Sequence, residues 1–169
     1  MKKFIVILTA AVCFFVGGNK ADAQTWFTGG EFTAVYGGGA FSYKVKPMVG
    51  YEFNDKIAVQ ANLGVSGAHG AVNQTNFIAG AYFRYTPWHN EVLFVDLKLR
   101  TEVLTSRGYL GADIGIVPEL RFRCNPHWDV FAAVGSLGAR YDGGAWSPFV
   151  GIISNNTIVG FIYRFGKIK

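Results

Sequence analysis

The sequence predicts an all-β fold, in which eight antiparallel strands run up and down and close into a barrel. Nearly every segment after Gln24 alternates apolar and polar residues with period two, the repeat of a strand rather than of a helix. These segments run for about eleven residues, whereas strands of soluble sheets typically have about five or six. The 22 glycines and 16 % aromatic residues stand against only 16 % charged residues. Soluble globular domains carry about a quarter of charged residues.

Residues 1–23 are predicted to form a cleaved signal peptide, and residues 24–169 to form the barrel. Met1-Lys2-Lys3 is a basic start, an apolar run follows over 4–16, and Ala21-Asp22-Ala23 gives the small-x-small pattern of a cleavage site. A permanent membrane helix is disfavoured because the apolar run is shorter than the roughly 20 residues that span a bilayer. The chain is therefore expected to be exported.

The first four strands are predicted at 26–36, 41–53, 56–66 and 75–85. The clearest is "FSYKVKPMVGYEF", in which every odd position from Phe41 to Phe53 is apolar and the even positions are mostly polar. In the next two strands, branched and aromatic residues alternate with Gly, Asn and Gln. Asn54-Asp55 is a turn signal, and a second turn is predicted at 86–90.

The last four strands are predicted at 91–104, 109–124, 128–141 and 157–165. The fifth contains "FVDLKLRTEV", in which four charges of mixed sign fall at every second position. The sixth alternates in the same way, while the faces of the seventh are less clean. Pro47 and Pro118 fall inside strands, where each removes a ladder hydrogen bond, so a local bulge is predicted at both.

The apolar face of these strands is predicted to face lipid, and the charged face to line the lumen. A tilted strand crosses a bilayer with about 9–11 residues. A soluble barrel would instead need many charges on its outside, and the chain carries too few. The predicted interior network is Lys44, Lys46, Glu52, Arg84, Asp96, Lys98, Arg100, Glu102, Asp113, Glu119, Arg121, Arg123 and Arg164. The predicted lipid-facing aromatics are Phe41, Tyr43, Tyr51, Phe53, Phe77, Phe83, Tyr85, Phe122, Phe161, Tyr163 and Phe165.

Because lipid offers no hydrogen-bond partners, these strands must close on themselves. An even strand number puts both chain ends on the periplasmic side. The short turns at 54–55, 87–90 and 125–127 then share that side, and the connections at 37–40, 67–73, 105–108 and 142–156 lie outside. The longest, "DGGAWSPFVGIISNN" at Asp142–Asn156, is unusually apolar. It is predicted to be a partner-binding hairpin, or to fold over the barrel mouth or lengthen the last two strands.

From Gln24 onward, the chain resembles the small bacterial outer-membrane β-barrel proteins of the OmpX and OmpA-barrel kind. The resemblance rests on the leader, the alternating strands and the terminal strand "TIVGFIYRFG". Its Tyr163 and Phe165 are similar to the aromatic ending that the barrel-insertion machinery recognises. The resemblance implies an exported protein of the outer membrane, with outer-membrane lipids and that machinery as partners.

The first functional hypothesis is a non-enzymatic barrel with a structural, adhesive or surface-interaction role, its interior charges forming structural ion pairs. The alternative is a narrow porin-like channel for ions or small solutes, in which the same charges line a path. A lipid A-modifying enzyme is the third hypothesis, and it would rely on His69 near Ser66. The sequence lacks a carboxylate placed to orient that histidine.

Other chemistry has little support in the sequence. Loss of the leader would leave Cys124 as the one cysteine, so no internal disulfide is expected and the thiol is expected to be inert. Three histidines and one cysteine in distant turns match no metal-ligand spacing, and no cofactor is expected. No basic cluster with interleaved aromatic residues points to nucleic acid.

Overall fold

The structure is a computed structural model that describes residues 24–37, 39–70, 73–106, 109–152 and 158–165. The predicted signal peptide, 1–23, lies outside the described residues. The strands are β1 (Thr25–Gly37), β2 (Ala40–Glu52), β3 (Ile57–His69), β4 (Gln74–His89), β5 (Leu93–Ser106), β6 (Tyr109–Arg123), β7 (Trp128–Ala133), β8 (Gly135–Asp142), β9 (Trp146–Ile152) and β10 (Val159–Arg164). None of the described segments is a helix long and apolar enough to cross a membrane.

The strands form one closed antiparallel sheet. Each of β1 to β5 pairs with the next strand along the chain, and β6 pairs with both β7 and β8. The ring closes through β10, which pairs with β7 and with β1. Because β7 with β8, and β9 with β10, each supply one strand of the wall, the barrel has eight strands. The predicted fold class is confirmed. We call the end that holds Gln24 and Phe165 the terminal end, and the opposite end the distal end.

The seventh barrel strand changes faces in its middle. On β6, Glu119 pairs with Ala133 and Ile116 pairs with Leu137, so β6 advances three residues while its partner advances four. The extra residue is Val134, whose amide donates to the carbonyl oxygen of Pro118 at 2.9 Å. This β-bulge inverts the alternation between β7 and β8. It explains why the period-two pattern over 128–141 is blurred.

A second irregularity lengthens β4. The register against β5 shifts between Tyr85 and Trp88, and the strand continues to His89. The turn predicted at 86–90 is therefore wrong, because Thr86 remains part of β4. Its backbone N–H donates a hydrogen bond to the carbonyl oxygen of Lys56. The bulge predicted at Pro47 is also wrong, since β2 keeps one register against β3 on both sides of it.

The predicted connection at 142–156 is largely strand rather than loop. β8 ends at Asp142, Gly143 turns the chain with φ at +67°, and β9 pairs with β8 over its whole length. The apolar residues of this stretch alternate, which places Trp146 and Val150 on the outside and Phe149 towards the lumen. The stretch thus lengthens the last two strands. Its remaining residues, 153–156, lie outside the described residues.

Candidate functional site

The barrel is polar inside and apolar outside. Among the described residues, 16 polar or charged side chains are buried against ten hydrophobic ones, and 26 large hydrophobic residues are exposed. Alternation along β5 illustrates it: Leu97 and Leu99 are exposed, whereas Lys98 between them is 1 % exposed. Water does not favour such an arrangement, but a hydrocarbon surround does.

All of the charges predicted to lie inside point into the lumen, and most are fully buried. The buried ones are Lys46, Glu52, Arg84, Asp96, Lys98, Arg100, Glu102, Asp113, Glu119, Arg121 and Arg164. Lys44 and Arg123 are partly exposed, at 25 % and 30 % of their side chains. Each of these residues has an opposite charge within 4.0 Å.

The terminal half of the lumen is closed by a group of guanidinium and carboxylate groups that we call the terminal cluster. Its members are Glu52, Arg84, Asp96, Arg121, Arg123, Asp129 and Arg164. Asp129 is 0 % exposed and accepts from Arg121 at 2.6 Å and from Arg164 at 2.5 and 2.8 Å. Charge-assisted bonds of this kind are the strong ones in proteins.

Aromatic rings and a hydroxyl complete the terminal cluster. The guanidinium groups of Arg121 and Arg123 lie 4.3 and 4.4 Å from the ring centre of Phe94, within cation–π range. Thr86, held inside by the irregularity of β4, donates its hydroxyl to Asp96 at 2.5 Å. Below the middle of the barrel, the lumen is therefore filled with side chains.

A central cluster lies on the distal side of the terminal cluster. It comprises Glu31, Lys46, Tyr82, Lys98, Glu102 and Glu119. The ammonium group of Lys46 lies 2.5 Å from Glu31 and 2.6 Å from Glu102, so it links β2 to its neighbour β1 and, across the lumen, to β5. The hydroxyl of Tyr82 donates to Glu102. These bonds cross the lumen as well as running along the wall.

The register of β5 against β6 shows how charges on neighbouring strands find partners. Asp96 lies directly opposite Glu119, and Glu102 opposite Asp113, which are repulsive pairs. The attractive contacts are diagonal: Arg121 reaches Asp96 at 2.6 Å, and Lys98 reaches Glu119 at 2.7 Å. The interior is therefore stabilised as a network rather than as a row of cross-strand pairs.

The distal half of the lumen contains a cavity of about 790 Å³, which we call the distal cavity. Its lining contains the cations Lys44, Arg100 and Arg140, which come from β2, β5 and β8, and the apolar residues Phe149 and Ala133. The guanidinium carbons of Arg100 and Arg140 lie 6.0 and 5.6 Å from the ring centre of Phe149.

The outward aromatic residues concentrate in two bands. The predicted lipid-facing residues Phe41, Phe77, Tyr85, Phe122, Phe161 and Phe165 are exposed, and Tyr43, Tyr51, Phe53, Phe83 and Tyr163 are half-buried beside other outward groups. At the terminal end, Tyr51 lies 5.2 Å from the ring of Trp26, and Tyr163 lies 5.0 Å from that of Trp128. Transmembrane barrels carry such girdles at both interfaces.

The catalytic pair considered in the sequence is not brought together. Ser66 lines the distal cavity, whereas His69 stacks on the outward ring of Tyr43, with ring centres 5.8 Å apart. The two side chains lie on opposite faces of β3. Cys124 is exposed in the turn after β6, and the described residues contain no group of three potential metal ligands.

Three charged residues of the interior were missed by sequence reasoning. Glu31 could have been found, because it shares one face of β1 with Phe27, Gly29 and Thr33, while the exposed Trp26 and Phe32 lie on the other face. Asp129 and Arg140 could not have been assigned together. Their numbers differ by an odd count, so a regular strand would put them on opposite faces, and the bulge at Val134 brings both inside.

No protein-family model matches the chain, and no curated protein matches it. Among solved structures, the chain is similar to Neisserial surface protein A (13 % identity, 83 % of this chain and 97 % of that one, TM-score 0.49). It is also similar to Ail, the attachment invasion locus protein of Yersinia pestis (16 % identity, 84 % and 97 %, TM-score 0.44). An outer membrane channel from Pseudomonas putida F1 gives 8 % identity, 88 % and 97 %, and a TM-score of 0.36.

The strand pairing of this chain itself defines the class. Eight antiparallel strands close with no unpaired edge around the ring at the terminal half, the lumen is charged and the outer wall is apolar. This is the architecture of the small outer-membrane β-barrels. The predicted resemblance to that class is confirmed at the level of fold.

Proposed function

We propose that the protein is a non-enzymatic, integral barrel of the bacterial outer membrane, with a structural, adhesive or surface-interaction role. The observation that carries this proposal is the inverted polarity of the wall, in which charged side chains are buried and large apolar ones are exposed. Outer-membrane lipids are then its surroundings, and the barrel-insertion machinery would deliver it there. A protein partner at 142–156 stays a prediction.

A filled lumen argues against the porin-like alternative. Arg121, Lys46 and Lys98 are among the largest side chains with less than 2 % exposure. Lys46 and Lys98 have partners across the lumen, and Arg121 pairs with both neighbouring strands. A continuous aqueous path would require both clusters to break. An eight-stranded barrel has an interior just wide enough for side chains to fill.

Planar-bilayer recordings test this part of the proposal. Purified protein reconstituted at single-molecule density should give no steady current steps. The protein must first show the heat-dependent shift in gel mobility of a folded barrel, so that silence is not due to misfolding. Regular, voltage-independent steps from such a sample would establish the channel instead.

The membrane location and the orientation can be tested by labelling whole cells. Gly144 lies in the distal turn with open space around its Cα, and the thiol of Cys124 is exposed at the terminal end. A membrane-impermeant maleimide should label Gly144→Cys in a Cys124→Ser background on intact cells, and should label the original Cys124 only after the cells are lysed. Labelling of Cys124 on intact cells would contradict the orientation. Absence of the protein from isolated outer membranes would contradict the location.

A further inference from the structure

The distal cavity has the dimensions and the mixed lining of a ligand site. Its volume of about 790 Å³ falls within the roughly 300–1,000 Å³ of small-molecule pockets. Its wall carries the cations Lys44 and Arg100 and the aromatic ring of Phe149. Such a site suits a molecule with one charged end and one apolar end.

The carboxylates near this wall are already bound by other cations. Asp113 accepts from Arg140 at 2.8 and 3.1 Å. Glu102 accepts from Lys46 at 2.6 Å and from the hydroxyl of Tyr82. Their distances to Lys44 and Arg100 are 3.9–4.0 Å, beyond hydrogen-bond length.

The charged residues that line the cavity are all cations. Among the described residues of the lining they are Lys44, Arg100 and Arg140, and none of the lining residues is a carboxylate. Asp113 and the three carboxylates of the central cluster each have a cation other than Lys44 or Arg100 within 2.8 Å. The wall of the cavity is therefore positively charged.

Arg100 shows most directly that a cation of the lining lacks a close acceptor. The residue lines the cavity, and its two carboxylate contacts are both 3.9 Å long, beyond hydrogen-bond length. Burying a charged donor without a close acceptor costs free energy, which a bound anion would recover. The Oε2 atom of Glu102 is a buried acceptor that receives no hydrogen bond, and it lies 4.0 Å from Lys44 Nζ and 3.9 Å from Arg100 Nε.

We propose that the distal cavity binds an organic phosphate, with the phosphate held by Lys44 and Arg100 and the apolar part packed against the ring of Phe149. A guanidinium group presents a fork of donors that matches phosphate oxygens, and an ammonium group adds a compact charge. Glu102 Oε2 would disfavour deep entry, which keeps the anion on the cavity side of both cations. The inference goes beyond the proposed structural role and does not depend on it.

The test is calorimetric titration of the full protein in nanodiscs of phosphatidylcholine. Phenyl phosphate should bind saturably, inorganic phosphate more weakly, and phenol not measurably, because the site requires both charge and an apolar group. Equal affinities for phenyl phosphate and phenol would overturn the role of the two cations. The absence of saturable heat with either phosphate would overturn the site itself.

Three variants locate the binding. Lys44→Gln and Arg100→Gln should each weaken phenyl phosphate by about ten-fold or more, the effect of losing a charged hydrogen bond. Arg123→Gln is the matched control, because it removes the same charge from the lumen at the terminal end and should leave the affinity unchanged. Each variant must keep the heat-dependent gel shift. Equal weakening in all three would show attraction by net charge alone and would refute the site.

A second arm identifies the source of the phosphate. Half of the phosphatidylcholine is replaced with phosphatidylglycerol, whose headgroup carries a phosphate diester with a net negative charge. Weaker binding of phenyl phosphate, seen to the same extent with wild type and with Arg123→Gln, would assign the site to a lipid headgroup. Unchanged binding would assign it to a soluble phosphate. Silent bilayers combined with failed titration would leave the proposed structural role intact while removing this inference.

Discussion

The two halves of the barrel share one wall but differ in what fills it. In the terminal half, the inward residues are large: Phe27, Met48 and Ile162 pack together, and Asp129 is surrounded by guanidinium groups. In the distal half, many inward residues are small, although Lys44, Arg100, Arg140 and Phe149 also point inward; the small ones are Thr33, Ser42, Ser66, Ala68, Asn76 and Ser136. The strands continue through both halves, so the size of these side chains helps to decide where the lumen is filled and where it is open.

Ion-pair geometry follows the same division. Apart from Arg123, the members of the terminal cluster are fully buried, and their ion pairs reach 2.5–2.8 Å. In the distal half, Arg100 holds its carboxylates at 3.9 Å, and the side chain of Arg140 is 49 % exposed. Buried pairs are costly to break from one side, and exposed pairs contribute little. The terminal half should therefore hold the fold, while the distal half is free to vary in sequence and to bind.

The largest expected contrast is between two aspartates. Asp129→Asn leaves Arg121 and Arg164 with one carboxylate fewer in a fully buried cluster, so the free energy of unfolding should fall by about 3–5 kcal/mol. Asp113→Asn is the matched change in the distal half, where the partner Arg140 is half-exposed, and should cost about 1 kcal/mol or less. Urea unfolding from phospholipid vesicles, followed by tryptophan fluorescence, measures both. Equal losses would contradict the division.

A smaller contrast concerns two glycines. A Cβ at Gly50 would lie 2.2 Å from the ring of Phe27 and 2.5 Å from the carbonyl oxygen of Val59, so Gly50→Ala should cost about 1–3 kcal/mol through overpacking. Gly144→Ala is the control, because a Cβ there meets nothing within 4 Å, and it should leave the unfolding midpoint unchanged. If Gly50→Ala were also neutral, the terminal half would be looser than its contacts indicate.

Alternation in the sequence was enough to predict the wall, because period two is a property of every regular strand. It placed Asp96, Lys98, Arg100 and Glu102 on one face without any knowledge of their partners, and the structure has all four in the lumen. The resemblance to the small outer-membrane barrels added the class. Alternation alone cannot predict where a bulge shifts the inward-facing positions of a strand from odd to even residue numbers.

The departures from prediction arise where the phase or the length of a strand changes. Val134 inserts one residue, and Thr86 stays inside past a predicted turn. The connection predicted at 142–156 has three alternative interpretations in the sequence, and the pairing of β9 with β8 selects the one in which it lengthens the last two strands. The distal cavity was not predicted either, since it depends on which inward residues are small at the same height on different strands. That alignment requires the register.

The smallest expected effect on stability is that of substituting Lys44. This substitution is informative because Lys46, two residues further along β2, provides a matched comparison. Lys44 and Lys46 both point inward from β2, but the first has one carboxylate at 4.0 Å and the second has two, at 2.5 and 2.6 Å. Lys44→Gln should therefore change the free energy of unfolding by less than about 1 kcal/mol. Lys46→Gln removes the nearest cation from two buried carboxylates, so it should lower the free energy of unfolding several-fold more. Because the same substitution is made at two positions of one strand, differences in strand propensity cancel. The difference between the two losses in free energy of unfolding then shows where along β2 the lumen changes from packed to open. A large loss at Lys44 would mean that the lumen is packed at that height, and a ligand could then not reach Arg100.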